Sequence, residues 1–143
     1  MDKQLKMTES ISIHAPASKV WTAITDKAQI KLYFFGTDVD SDWKKGSPVT
    51  WSGEWEGQHY EEKGEVLDVE KGKMLSFSYL SSGKADVPEN YSTIVYNIEE
   101  NGNSETKIAV SQSNFESQET CDHSKENWKQ VLAGLKKVVE DGL

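Results

Sequence analysis

The stretch SKENWKQVLAGLKKVVEDGL (Ser124–Leu143) closes the chain. Within it Trp128, Val131, Leu132, Leu135, Val138 and Val139 recur at i, i+3, i+4, i+7, i+10 and i+11. That spacing lines one face of an α-helix with apolar side chains, while Lys129, Lys136, Lys137 and Glu140 take much of the remainder. Asp122 or Ser124 is expected to cap its start, and Gly142 to sit just past its end. Gly134, inside the helix, costs about 1 kcal/mol relative to alanine, and close backbone approach of another element would account for it. So long an apolar stripe has to be buried, and the partner broad enough to bury it is a sheet.

The sheet is legible upstream. Five runs alternate over at least part of their length: PVTWSGEW (Pro48–Trp55), HYEEKGEVLDVE (His59–Glu70), KMLSFSYL (Lys73–Leu80), YSTIVYNIEE (Tyr91–Glu100) and SETKIAVSQSNF (Ser104–Phe115). Tight turn signals at EKGK (Glu70–Lys73) and ENGNS (Glu100–Ser104) predict an antiparallel meander. The polar stretch SSGKADVPEN (Ser81–Asn90) is expected as a mobile rim between two strands. At the front, KMTESISIH (Lys6–His14) puts Met7, Glu9, Ile11 and Ile13 on one face of a strand, with Glu9 as a charged exception. APASKVWTAITD (Ala15–Asp26) predicts a short helix entered at Pro16, with Ser18 as a local cap and Val20, Trp21 and Ile24 as its stripe. DKAQIKLYFFG (Asp26–Gly36) predicts a second, opened by Asp26, stopped near Gly36, with Ile30, Tyr33 and Phe34 on its apolar side.

The totals exclude several function classes. The chain has 143 residues, a length that forms one domain (1–143) with a core of its own. Its formal net charge is −8 and it has no arginine, so it lacks the clustered cations that bind nucleic acid. The single cysteine, Cys121, suits a reducing compartment. MDKQLKMTES (Met1–Ser10) lacks the apolar core of a signal peptide, and no run approaches the ~18 apolar residues of a membrane span. The expected location is cytoplasmic.

The ordered set of segments resembles a known family. SISIHAPASKVWTAITDKAQIKLYFFG (Ser10–Gly36) is similar to the opening of the START-like (SRPBCC), helix-grip superfamily, and more closely to homologues of the activator of the heat-shock-protein-ninety ATPase. GEVLDVEKGKMLSFSY (Gly64–Tyr79) and STIVYNIEENGNSETKIAVSQSNF (Ser92–Phe115) resemble its central hairpins, and NWKQVLAGLKKVVE (Asn127–Glu140) its last helix. The resemblance implies an α+β fold: one strand, two short helices, six strands, then a long C-terminal helix gripped by a curved antiparallel sheet, with an elongated cavity between. It implies members that carry apolar ligands, a co-chaperone domain, and some cyclases and hydrolases, so fold alone leaves function open. Where the family often has a histidine near the end of the last strand, this chain has Gln112.

Residues for catalysis do not assemble. His14 ends a strand, His59 begins one and His123 precedes the last helix, and no pair has helical ligand spacing. Neither metal nor cofactor is expected; Cys121 and His123 read as an exposed loop ahead of the helix. No serine sits in a GxSxG setting, and no catalytic residue is assigned. Glu54, Glu56 and Glu61 read as a solvated edge or loop. Glu62 shares parity with Tyr60 and Val66, and would face inward if no bulge intervenes.

The aromatic set has the stronger claim. Trp51, Tyr60, Phe77, Tyr79, Tyr96, Phe115 and Trp128 fall where a cavity wall would be, with Phe34 and Phe35 at its mouth and Leu132 and Leu135 on the helix above. A purely structural core uses Leu, Ile and Val more often; tyrosines and Gln112 turned inward form an apolar wall with a few orienting polar groups. The expected partner is a small, largely apolar molecule, and the resemblance supplies its class: aromatic, lipid-like or polyketide-like. The rival is a protein-interaction module partnering a chaperone or other protein, which predicts a filled interior and an exposed patch. A cyclase or hydrolase would need an acid–base pair that these residues do not supply.

Overall fold

Alternation in the first strand carries straight into the structure. A computed structural model describes residues 1–102 and 104–141, the Trp55 side chain excepted. β1 (Asp2–Ile13) begins earlier than its apolar pattern suggests, and it buries Met7 and Ile13 on the predicted face. Glu9, the charged exception on that face, is reached by Lys125 at 3.8 Å and Lys129 at 4.0 Å from the last helix.

Helices α1 (Ala17–Thr25) and α2 (Lys27–Tyr33) follow. Pro16 occupies the N-cap of α1, but Ser18 does not cap. Instead Glu100, 83 residues further along the chain, accepts the Ala17 N–H at 2.7 Å. Asp26 caps α2 as expected, accepting from Ala28 N–H. The chain leaves α2 through Phe35 and Gly36, both at positive φ.

Six strands complete the sheet: β2 (Asp38–Asp40), β3 (Pro48–Trp55), β4 (Gln58–Glu70), β5 (Met74–Tyr79), β6 (Ser92–Glu100) and β7 (Thr106–Phe115). Their order is β1-β7-β6-β5-β4-β3-β2, antiparallel throughout, so the chain's first strand closes one edge and β2 the other. β2 is absent from the sequence reading because three residues show no period. The predicted turns form: Lys73 N–H meets the Glu70 carbonyl, and Asn101 N–H meets that of Glu105, although Asn103 lies outside the described residues. β4 is shared, pairing with β3 over Gln58–Glu65 and with β5 from Val66 onward, with a register shift between Val66 and Asp68.

The last helix, α3, runs from Gln118 to Asp141 and starts earlier than Asp122 or Ser124. Ser117 Oγ accepts the Thr120 N–H at 3.2 Å while Thr120 Oγ1 accepts the Ser117 N–H at 3.0 Å, a reciprocal capping box with threonine in the return position. Gly142 lies outside the described residues. Trp128, Val131, Leu132, Leu135, Val138 and Val139 are all buried, so the stripe faces as read. A Cβ on Gly134 would lie 2.9 Å from the Tyr33 Cβ of α2, which is the close approach that its helical cost implies.

Candidate functional site

Helix α3 packs chiefly on β1, with α1, α2 and β7 beside it. β3, β4 and β5 curve away on the other side. The resulting gap is a cavity of about 790 Å³, open at one side. Its wall is aromatic. Ring centroids run from Phe35 to Phe34 (6.0 Å), Phe34 to Trp128 (5.9 Å), Trp128 to Tyr96 (5.8 Å), Tyr96 to Phe77 (6.0 Å), Phe77 to Trp51 (5.5 Å) and Trp51 to Tyr79 (5.1 Å). Most of these contacts are edge-to-face or tilted, geometries aromatic pairs favour.

Strand parity explains how one wall collects these rings. Trp51 on β3, Phe77 and Tyr79 on β5 and Tyr96 on β6 take inward positions of neighbouring strands. Phe115 belongs to the opposite parity from Gln112 on β7. A φ of +76° at Asn114 resets it, and Phe115 is buried at the cavity wall. Of the predicted set, Phe34, Phe35, Trp51, Tyr60, Phe77, Tyr79, Tyr96, Gln112, Phe115 and Trp128 border the cavity. Leu132 and Leu135 do not; both are buried in the core and outside the wall. Trp43, Val39, Ile94 and Val131 also line it. Val131 and Ile94 were legible as inward positions. Trp43 was not, because it sits in a loop at φ +55° with no period around it.

One polar node stands in the wall. Gln112 Oε1 accepts from Trp128 Nε1 at 2.9 Å and from Ser124 Oγ at 2.7 Å, joining β7 to α3. A second polar group lies toward the β4 side. There the Tyr60 and Thr37 hydroxyls are 2.6 Å apart, and Glu62 accepts the Ser82 N–H at 3.1 Å. Glu62 does face inward and lines the cavity, since the irregularity in β4 falls after Val66. Burial, with the Glu62 carboxylate beside it, pushes the Tyr79 hydroxyl above its usual range. Burial alone does the same for Tyr96. The stretch Ser81–Asn90 forms a rim: Ser81, Ser82 and Lys84 border the cavity, and Lys84 pairs with Glu116 at 3.1 Å. Asn114 Nδ2 ties that rim to β7 through the Glu89 and Tyr91 carbonyls, at 2.9 and 2.8 Å.

His123 borders the cavity, but from within α3 rather than from a loop before it, and Cys121 is a buried residue of the same helix. Among the described residues no three His, Cys, Asp or Glu side chains are grouped as metal ligands require. No helix is long and apolar enough to cross a membrane among the same residues.

Solved structures share this architecture. A protein from Cytophaga hutchinsonii, known in solution, is 38% identical, with 99% of this chain and 98% of that chain covered and a TM-score of 0.83. The Aha1 dimer from Colwellia psychrerythraea is 20% identical over 97% of this chain and 98% of that one, with a TM-score of 0.77. The protein MLL2253 from Mesorhizobium loti is 21% identical over 95% and 97%, with a TM-score of 0.78. No curated protein matches. The family described as activator of Hsp90 ATPase homolog 1-like protein matches residues 14–140, from the end of β1 to the last turn of α3. A match of that extent, over a sheet gripping its C-terminal helix, makes the chain a member of that family within the START-like, helix-grip superfamily.

Proposed function

We propose that this protein binds a small, largely apolar molecule, aromatic or lipid-like, in the cavity between α3 and the sheet. The observation that carries the reading is the cavity of about 790 Å³ bordered by a continuous string of aromatic rings. A volume of that size falls in the usual range of small-molecule sites. A ligand burying roughly 300 Å² of apolar surface would gain about 7 kcal/mol at 25 cal/mol per Å², before ordering costs are subtracted. Phe34, Phe35, Trp51, Phe77 and Trp128 supply the apolar contact; Tyr60, Tyr79, Tyr96 and Gln112 supply orientation. Leu132 and Leu135 support the wall from behind. The rival reading, a protein-interaction module of the Hsp90-activator type, calls for a filled interior. The open cavity weighs against it.

Binding is tested by titrating a panel of hydrophobic compounds while following tryptophan emission and melting temperature. Trp43, Trp51 and Trp128 border the cavity, so occupancy should quench or shift emission. It should also raise the melting temperature by linkage, about 2.7 kcal/mol of stability at a hundredfold excess over Kd. A panel that moves neither signal removes this function. An accelerated chaperone ATPase on adding this protein, in a separate assay, would then favour the rival.

A further inference from the structure

We infer that the ligand carries a neutral hydrogen-bond acceptor, a carbonyl-type oxygen on an otherwise apolar frame, and that Gln112 Nε2 and the Tyr96 hydroxyl receive it. This rests on the binding function proposed above and names the ligand's chemistry.

The orientation of the Gln112 amide follows from its neighbours. An indole N–H can only donate. The Gln112 atom 2.9 Å from Trp128 Nε1 must therefore be the oxygen, and Ser124 Oγ supplies a second donor to it at 2.7 Å. Both bonds go to Oε1, so Nε2 and its two hydrogens point the other way. Nε2 meets no hydrogen-bond partner among the described residues, although the side chain is only 7% exposed and borders the cavity. The amide N–H groups are therefore offered to the cavity, where a ligand acceptor would complete their hydrogen bonding.

Tyr96 adds a second group on the neighbouring strand. In the β6–β7 register Ile94 faces Gln112 and Tyr96 faces Val110, so Tyr96 and Gln112 are diagonal neighbours. Both reach Trp128, one through its ring at 5.8 Å and the other through the indole N–H. The hydroxyls of Tyr33, Tyr60 and Tyr91 have partners, and Glu62 is beside that of Tyr79. Tyr96's hydroxyl has none among the described residues, in a residue 5% exposed and bordering the cavity.

Charge narrows the acceptor. The ionisable side chains of the wall are Glu62, Lys84, Glu116 and His123, and Lys84 is already paired with Glu116. The chain has no arginine. A carboxylate or phosphate entering here would meet Glu62 and Glu116 against one already paired lysine and His123, with no arginine or unpaired lysine in the wall to compensate its desolvation. A ketone, quinone or ester oxygen takes the same two donors without that cost.

The test uses three compounds on one frame: fluorene, 9-fluorenone and 9-oxofluorene-4-carboxylate. Calorimetric titration should give 9-fluorenone an affinity about tenfold above fluorene, one added hydrogen bond at a largely buried wall. The carboxylate should bind at least about tenfold more weakly than 9-fluorenone. The side-chain amide resonances of Gln112 should shift with 9-fluorenone and stay unmoved with fluorene. Gln112→Glu keeps an oxygen for Trp128 and Ser124 but removes the donor, so the preference for 9-fluorenone should vanish. If that variant does not fold, the amide shift in the native protein decides. Equal binding of fluorene and 9-fluorenone with an unmoved Gln112 amide overturns the inference and leaves the binding function standing. A carboxylate that binds tighter than the ketone overturns it as well. Failure of all three compounds to bind removes the function and this inference together.

Discussion

Gly134 lies where α3 crosses α2, and helix propensity there opposes packing. Alanine would gain about 1 kcal/mol from propensity. Its Cβ would also lie 2.9 Å from the Tyr33 Cβ, on a side chain fixed at its far end by a 2.8 Å hydrogen bond to the Ala23 carbonyl. Packing should win, so Gly134→Ala is expected to lose about 1–3 kcal/mol in urea unfolding. A gain would mean that α2 can withdraw freely. Gly64 is a harsher case, since a Cβ there would meet the Ser78 carbonyl oxygen of β5 at 1.7 Å. Backbone cannot rotate aside as a side chain can, and Gly64→Ala should part β4 from β5 and abolish cooperative unfolding. Tyr33 and Tyr96 matter through their protons. Burial raises both above 10, so between the unfolded and folded values the native state binds more protons than the unfolded one. Their contribution to stability should therefore be constant below about pH 10 and fall above it. Unfolding curves at pH 9 and pH 11, with tyrosinate absorbance followed in parallel, check the sign.

Polar contacts fix the helix α3 at three levels along its length. At its start the capping box fixes the first turn, in its middle Gln112 receives Ser124 and Trp128, and near its end Glu140 accepts the His14 N–H at 2.8 Å and pairs with Lys136. Between these points Leu135 is 1% exposed. Leu135→Ala should cost about 2–5 kcal/mol, and Leu135→Asp, a charge without a partner, should unfold the domain. A folded Leu135→Asp protein by circular dichroism would contradict the packing. This buried face was readable because six apolar residues repeat with the helical period. Where the period stops, so does legibility. The first turns of α3 carry Gln118, Glu119, Asp122 and His123, with Cys121 alone continuing the buried stripe, and their capping signal depends on a threonine where glutamate is usual. β2 places a lone buried Val39 between two aspartates, too short to show alternation. In β4 parity held from Tyr60 to Val66 and was reset by the register shift that follows, after which Val69 rather than Asp68 packs on the core. Most of the wall rings were readable from parity. Trp43 and the Gln112–Trp128–Ser124 node were not, since they depend on a left-handed loop residue and on contacts between separate elements.

At the scale of the whole molecule the two sides of the cavity differ in what supports them. One side is continuous core: β1, β7 and β6 bury Ile13, Ile108, Val110 and Ile94, and α3 closes over them. The other side, β2, β3 and the first half of β4, reaches the core mainly through Val39, Val49 and Trp51, and β2 adds only three paired residues at the sheet edge. Fewer buried contacts mean a smaller free energy of local opening, so this side should exchange its amide hydrogens first. Hydrogen-exchange mass spectrometry on the ligand-free protein should find the fastest exchange within strands in β2, β3 and residues 58–65, and the slowest in β7 and the centre of α3. A ligand in the cavity touches both sides at once. Its binding energy is available only when the weaker side is closed, so occupancy should slow exchange there by the factor 1 + [L]/Kd while leaving β7 nearly unchanged, until global opening takes over. Uniform protection across the molecule would indicate one cooperative unit. Protection confined to an outer face would move the binding site out of the cavity.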